Sequence, residues 1–153
     1  MTNVTLARYR NTDYTVRCEI DGNMKQYTWK GSKGNKVDKK KVPQEVVDWL
    51  NMNTQCFNKG KLVLEGEGKV TALLKEDFAE PKAYEANTNS REEIVKALQG
   101  HHKTLEKFLS EITVDDERRF IIDVAVEIKD ELTGAVQNRI SEFAGIDRDI
   151  LFD

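Results

Sequence analysis

The chain has 153 residues, 39% of them hydrophobic and 33% charged, with a net charge of −3. That length holds one or two small domains, and the apolar share is too high for a disordered chain. No apolar run reaches the ~18 residues that suggest a membrane helix, and Met1-Thr2-Asn3-Val4-Thr5-Leu6 lacks the basic and apolar regions of a signal peptide.

The first part reads as β. In Tyr14-Thr15-Val16-Arg17-Cys18-Glu19-Ile20 the apolar side chains alternate with polar ones, the period of a half-buried strand. Asp21-Gly22-Asn23 follows and accepts the positive φ of a tight hairpin, so residues 24–29 return as the partner strand. Residues 4–9 are a third candidate strand. Residues 31–41, with Gly31, Gly34 and five lysines, read as an exposed, mobile loop. Pro43 then suits the first turn of a helix, whose Val46, Val47, Trp49 and Leu50 pin it to the β layer. Residues 61–65 read as a short strand, and residues 69–74 as another beyond Gly66 and Gly68.

Residues 75–88 are polar, contain Pro81, and read as a linker with little regular structure, docked locally by Phe78 and Tyr84. Beyond them the pattern is helical. Ser90 and Glu93 form a capping box. Leu105, Phe108, Leu109 and Ile112 recur at helical spacing, as do Phe120, Ile121, Val124, Ala125 and Ile128, then Val136, Ile140 and Phe143. Thr113 or Asp115 is the expected cap of the third helix, Gly134 a break, and residues 147–152 a last short turn. The expected class is α+β. A small antiparallel β module with one helix spans residues 1–74, a linker 75–88, and a module of three or four short helices 89–153.

The residues do not assemble a recognisable catalytic motif. No Gly-x-Ser-x-Gly elbow surrounds a serine, and the two histidines, His101 and His102, are adjacent. His102 and Glu106 stand four apart on one helix face, but no His-Glu-x-x-His or Cys-x-x-Cys completes a metal site. Cys18 and Cys56 read as buried thiols in a reducing compartment. No enzyme activity, cofactor, metal or small-molecule substrate is therefore expected.

Charge is the more informative feature. Residues 1–61 hold 12 Lys/Arg against 6 Asp/Glu, and residues 62–153 hold 12 against 21, so +6 precedes −9. Such a split suits an interaction surface or head-to-tail contact between copies, and equally two solvated faces of ordinary domains. The candidate partner-binding residues are Lys33, Lys36, Lys39, Lys40 and Lys41, with Tyr27 and Trp29 nearby; Trp49 and Phe57 are further docking anchors, or core residues.

One stretch carries a resemblance: Lys41-Val42-Pro43-Gln44-Glu45-Val46-Val47-Asp48-Trp49-Leu50, then Thr54, Phe57 and Gly60-Lys61-Leu62-Val63-Leu64, with Glu93 to Gly100 further on. It resembles small proteins encoded in the structural-gene modules of tailed bacteriophages. The resemblance implies a virion structural or assembly role in the head (capsid), neck or tail, in a protein made in the host cytoplasm. The implied partners are other virion proteins or copies of itself. Two other readings stand beside it. One is a single-stranded nucleic-acid binder that stacks bases on Tyr27 and Trp29 beside the lysines. The other is a small inhibitor of a host or defence protein, its acidic helical half imitating a polyanion.

Overall fold

The computed structural model describes residues 3–66 and 68–153. The chain divides into two compact units, Met1–Thr88 and Asn89–Asp153, each with its own apolar core. It is α+β: strands dominate the first part and helices the second.

The hairpin forms as its alternation dictates. Strands β2 (Tyr14–Ile20) and β3 (Asn23–Trp29) pair antiparallel, with Tyr14 opposite Trp29 and Ile20 opposite Asn23. Asp21 (φ 52°) and Gly22 (φ 79°) both take positive φ, which a two-residue hairpin matched to strand twist requires. Val16 and Cys18 are buried while Thr15, Arg17 and Glu19 are exposed.

Strand β1 (Asn3–Arg8) does not extend this hairpin. It is the centre of a separate three-stranded sheet, between β4 (Asp38–Pro43) and β5 (Val63–Glu65). Strand β4 corrects the expected loop: Lys39, Lys40 and Lys41 lie on a strand, in register with Ala7, Leu6 and Thr5. Backbone pairing to β1 overrides the polar composition. Of the β4 side chains only Val42 is buried, opposite Val4, and lysine is a residue that an edge strand tolerates.

Helix α1 (Gln44–Asn53) buries Val46, Val47 and Leu50 and packs on β2. Pro43 sits at its N-cap, one position before the expected first turn. Residues 69–74, expected as a strand, are helical in α2 (Lys69–Glu76). Val70, Leu73 and Leu74 have helical spacing, and Leu74 alone of these is buried.

The expected linker is also corrected in part. It holds helix α3 (Pro81–Ala86) with Pro81 in its first turn, and it belongs to the first unit. The reason is aromatic. Phe78 stacks on Phe57 with ring centroids 4.5 Å apart, and Tyr84 meets Phe78 edge-on at 4.8 Å. The Leu64 N–H donates to the Tyr84 hydroxyl at 2.9 Å. Arg10, itself buried, donates through Nη2 to the carbonyls of Lys59 (2.7 Å) and Asn87 (3.0 Å).

In the second unit the periodicities become α4 (Arg91–Leu98), α5 (His102–Ser110), α6 (Asp115–Glu127), a 3-10 turn (Lys129–Glu131), α7 (Gly134–Ala144) and α8 (Arg148–Leu151). Ser90 and Glu93 close the expected capping box. Helix α6 starts after Val114 without a side-chain cap, and its first turn carries Asp115, Asp116 and Glu117, which suit the positive end of the helix dipole. Gly134, expected as a break, opens α7 behind a Thr133 cap. Helix α7 ends at Gly145 (φ 68°), where Ile146 N–H reaches Ser141 and Gly145 N–H reaches Glu142, a Schellman closure. Ile94, Leu98, Leu109, Phe120, Ile121, Val124 and Ile140 are buried together in this unit's core.

Candidate interaction surface

The structure separates the residues that the sequence groups together. Trp29 is fully buried in the first core, and its indole N–H donates to the Leu6 carbonyl at 2.9 Å. It ties the hairpin to β1 and offers no ring to a partner. Period-2 alternation puts Tyr27 on the same face of β3, half-buried against the core and 6.1 Å from Trp29 between ring centroids. Phe57 is buried and Trp49 half-buried against the same core. The aromatic anchors thus pack chiefly on one core: strand alternation aims Tyr27 and Trp29 at it, α1 carries Trp49, and Phe57 reaches it from the turn that follows α1.

The lysines divide into two groups. Lys39 and Lys41 are exposed on β4, while Lys40 is half-buried opposite Leu6. Lys39 Nζ lies 2.8 Å from Glu65 Oε2, and the Tyr9 hydroxyl donates to Glu65 Oε1 at 2.7 Å. Burial alone raises the Glu65 pKa, but the Lys39 ammonium and the Tyr9 hydroxyl outweigh it and hold the carboxyl below its ordinary range. Lys39 is therefore engaged within its own domain.

Lys33 and Lys36 form the second group, and no loose loop carries them. Their backbones exchange hydrogen bonds of 3.1 and 3.0 Å across Gly34 (φ 58°) and Asn35. Together with Lys30 they surround an open pocket of about 610 Å³, whose lining is completed by Gly31, Val37, Asp13 and Asp38. Both acids are turned to the backbone: Asp13 Oδ1 accepts from Gly31 N–H at 2.7 Å, and Asp38 Oδ2 from Lys30 N–H at 2.9 Å. Gly31 has no room for a side chain, since a Cβ there would lie 2.4 Å from the Asn11 carbonyl. Ser32 adds bonds to the carbonyls of Arg10 and Tyr9. Residues 31–32 are thereby strapped to residues 9–13 and Lys30 to Asp38, and the lysine stems leave from a fixed base.

Sequence reasoning missed Lys30, Asp13 and Asp38. The hairpin register held the signal for the first two: Tyr14 opposite Trp29 sets Asp13 beside Lys30. What the pocket offers chemically is a net positive lining, three lysines against two aspartates, on a firm backbone.

The remaining reactive groups lie outside the lining of this pocket. Cys18 and Cys56 are free, buried thiols. Burial pushes Cys56 up to about 11, with the Tyr14 hydroxyl hydrogen-bonded to it, and burial raises Cys18 as well. His101 caps α5, its Nδ1 accepting from Lys103 N–H at 3.2 Å. His102 and Glu106 do share a pocket between α5 and α7, but Glu106 is bound there by Arg139. Among the described residues no group of three or more His, Cys, Asp or Glu is placed to hold a metal, and no helix is long and apolar enough to cross a membrane.

Fold and surface together define a two-domain α+β protein whose N-terminal domain presents a lysine-lined pocket. A family model for the YonA N-terminal domain matches residues 2–80, and one for the YonA C-terminal domain matches residues 90–150. The chain belongs to the YonA family, and since YonA is a prophage-type protein the kinship is of phage type. No curated protein and no solved structure matches the chain.

Proposed function

We propose that the chain is a non-enzymatic structural or assembly protein of a tailed-phage virion, acting in the head, neck or tail by binding other virion subunits or copies of itself. The kinship to YonA supports the phage part of this reading. Charge distribution supports the binding part. The first unit holds 15 Lys/Arg against 12 Asp/Glu and the second 9 against 15, so the two carry +3 and −6. Opposite charges on two domains of one chain favour heterologous contacts, the kind that build rings or open filaments. In this reading the protein is made in the host cytoplasm and ends in the particle.

The burial of Trp29 weighs against the base-stacking alternative, because one of the two rings that reading needs lies in the core. The test is incorporation. Particles and assembly intermediates are purified from infected or induced cells, and the protein is quantified by mass spectrometry. The expected result is a fixed copy number in one of them. Its absence from both would overturn the virion reading.

A further inference from the structure

We infer that the pocket formed by Lys30, Lys33 and Lys36 is the receiving half of a self-association contact, and that it takes the exposed carboxylates of a second copy's C-terminal domain. This rests on the reading that the protein works by binding its own kind, and it names the surface and the partner.

Three observations carry it. First, the lysines converge on one pocket from a strapped backbone and a two-residue turn, so little of the base remains to be ordered on binding. Second, the lining holds three lysines against two aspartates, and both aspartates turn an oxygen to the backbone, to the N–H groups of Gly31 and Lys30, so the opening keeps a net positive charge. Third, the complementary surface exists on the same chain. The second unit carries −6, and several of its acids are spent internally: Glu106 on Arg139, Glu127 on Arg91, Glu117 on Asn89. Asp130 and Glu131 differ. They are adjacent, exposed, and carried on the short 3-10 turn after α6.

A nucleic-acid phosphate is the rival occupant. The observations favour the protein carboxylate, because no aromatic side chain lines the pocket and the chain as a whole is negative.

Light scattering over a concentration series, at low and high salt, tests the inference on the full chain. The wild type should associate at low salt and dissociate at high salt, since surface charge pairs are screened. The double variant Lys33→Glu/Lys36→Glu should lose roughly tenfold or more in association constant, the scale of two or three exposed ion pairs replaced by repulsion. Asp130→Lys/Glu131→Lys should lose as much, and mixing the two variants should restore association. Lys75→Glu/Lys82→Glu changes net charge equally but lies outside the pocket, and it should leave association unchanged. Circular dichroism checks that each variant is folded.

A wild type that is monomeric at both salts overturns the inference, as does equal weakening by the Lys75/Lys82 variant or no recovery on mixing. Salt-sensitive binding of a fluorescent dT oligonucleotide that needs Lys33 and Lys36, with self-association unaffected by their loss, overturns it in favour of nucleic acid. A monomeric protein found in particles sinks this contact alone. A self-associating protein absent from particles sinks the virion reading alone.

Discussion

At the residue scale, Gly60 shows how little freedom the N-terminal domain leaves. It sits at φ 64°, and a Cβ there would stand 2.2 Å from the Asn87 carbonyl oxygen. Both the left-handed backbone and the close approach exclude a side chain. Gly60→Ala should therefore destabilise the domain by about 2 kcal/mol or more, read as a fall in the urea midpoint. Trp29 makes the opposite point, a large side chain that fills its site completely. Trp29→Ala should cost about 3–5 kcal/mol and remove the indole hydrogen bond to the Leu6 carbonyl, read from chemical denaturation followed by circular dichroism. Were Trp29 instead a partner-binding anchor, the substitution would leave stability nearly intact.

At the element scale, α3 is held by one tyrosine. Tyr84→Phe keeps the ring packing on Phe57 and Phe78 but removes the acceptor for Leu64 N–H. Leaving a buried donor unmet should cost about 1–3 kcal/mol, measured as the difference in unfolding free energy from wild type. The same element shows where the sequence stops being legible. The β2–β3 hairpin announces itself through strict alternation and a turn that tolerates positive φ, and α4 to α7 through apolar positions three and four apart. Strand β4 gives no such signal: three of its six residues are lysines, and only Val42 is buried. Its strand state comes from β1, a partner distant in sequence. Helix α2 is too short for its period to be read with certainty, and α3 is a polar stretch with one buried anchor. The candidate site follows the same rule. Its lysine richness is visible in the residue string, but which lysines converge is set by strand register, and that set Lys30 in and Lys39 out.

At the scale of the whole molecule, ionisation limits the N-terminal domain from the alkaline side. Burial lifts Cys56 from 9.0 to about 11 and Tyr84 from 10.0 to about 12. An acid whose pKa is raised on folding stabilises the fold while both states are neutral. That stability is fully present below the unfolded pKa and is lost as pH rises towards the folded one. The urea midpoint of the domain should accordingly begin to fall near pH 9 and drop steeply towards about 11–12. Glu65 acts in the other direction. Its lowered pKa means a contribution present above the ordinary 4.5 and lost as pH falls through the folded value, and Lys39→Met should blunt that acid limb. Denaturation curves at a series of pH values check both limbs. The Cys56 thiol should also react slowly with a disulfide reagent at mildly alkaline pH until urea is added, because it is neutral and buried there.

The docking of α3 bears on how the gene can be cut. The match to the N-terminal family model stops at residue 80, yet the compact unit runs to Thr88. A protein ended at 80 would lose Tyr84 and Asn87, baring the Phe57–Phe78 stack and taking away one of the carbonyls that Arg10 holds. Such a fragment should be sticky and short-lived in the cell, and a fusion or truncation that respects the fold places its joint after Thr88.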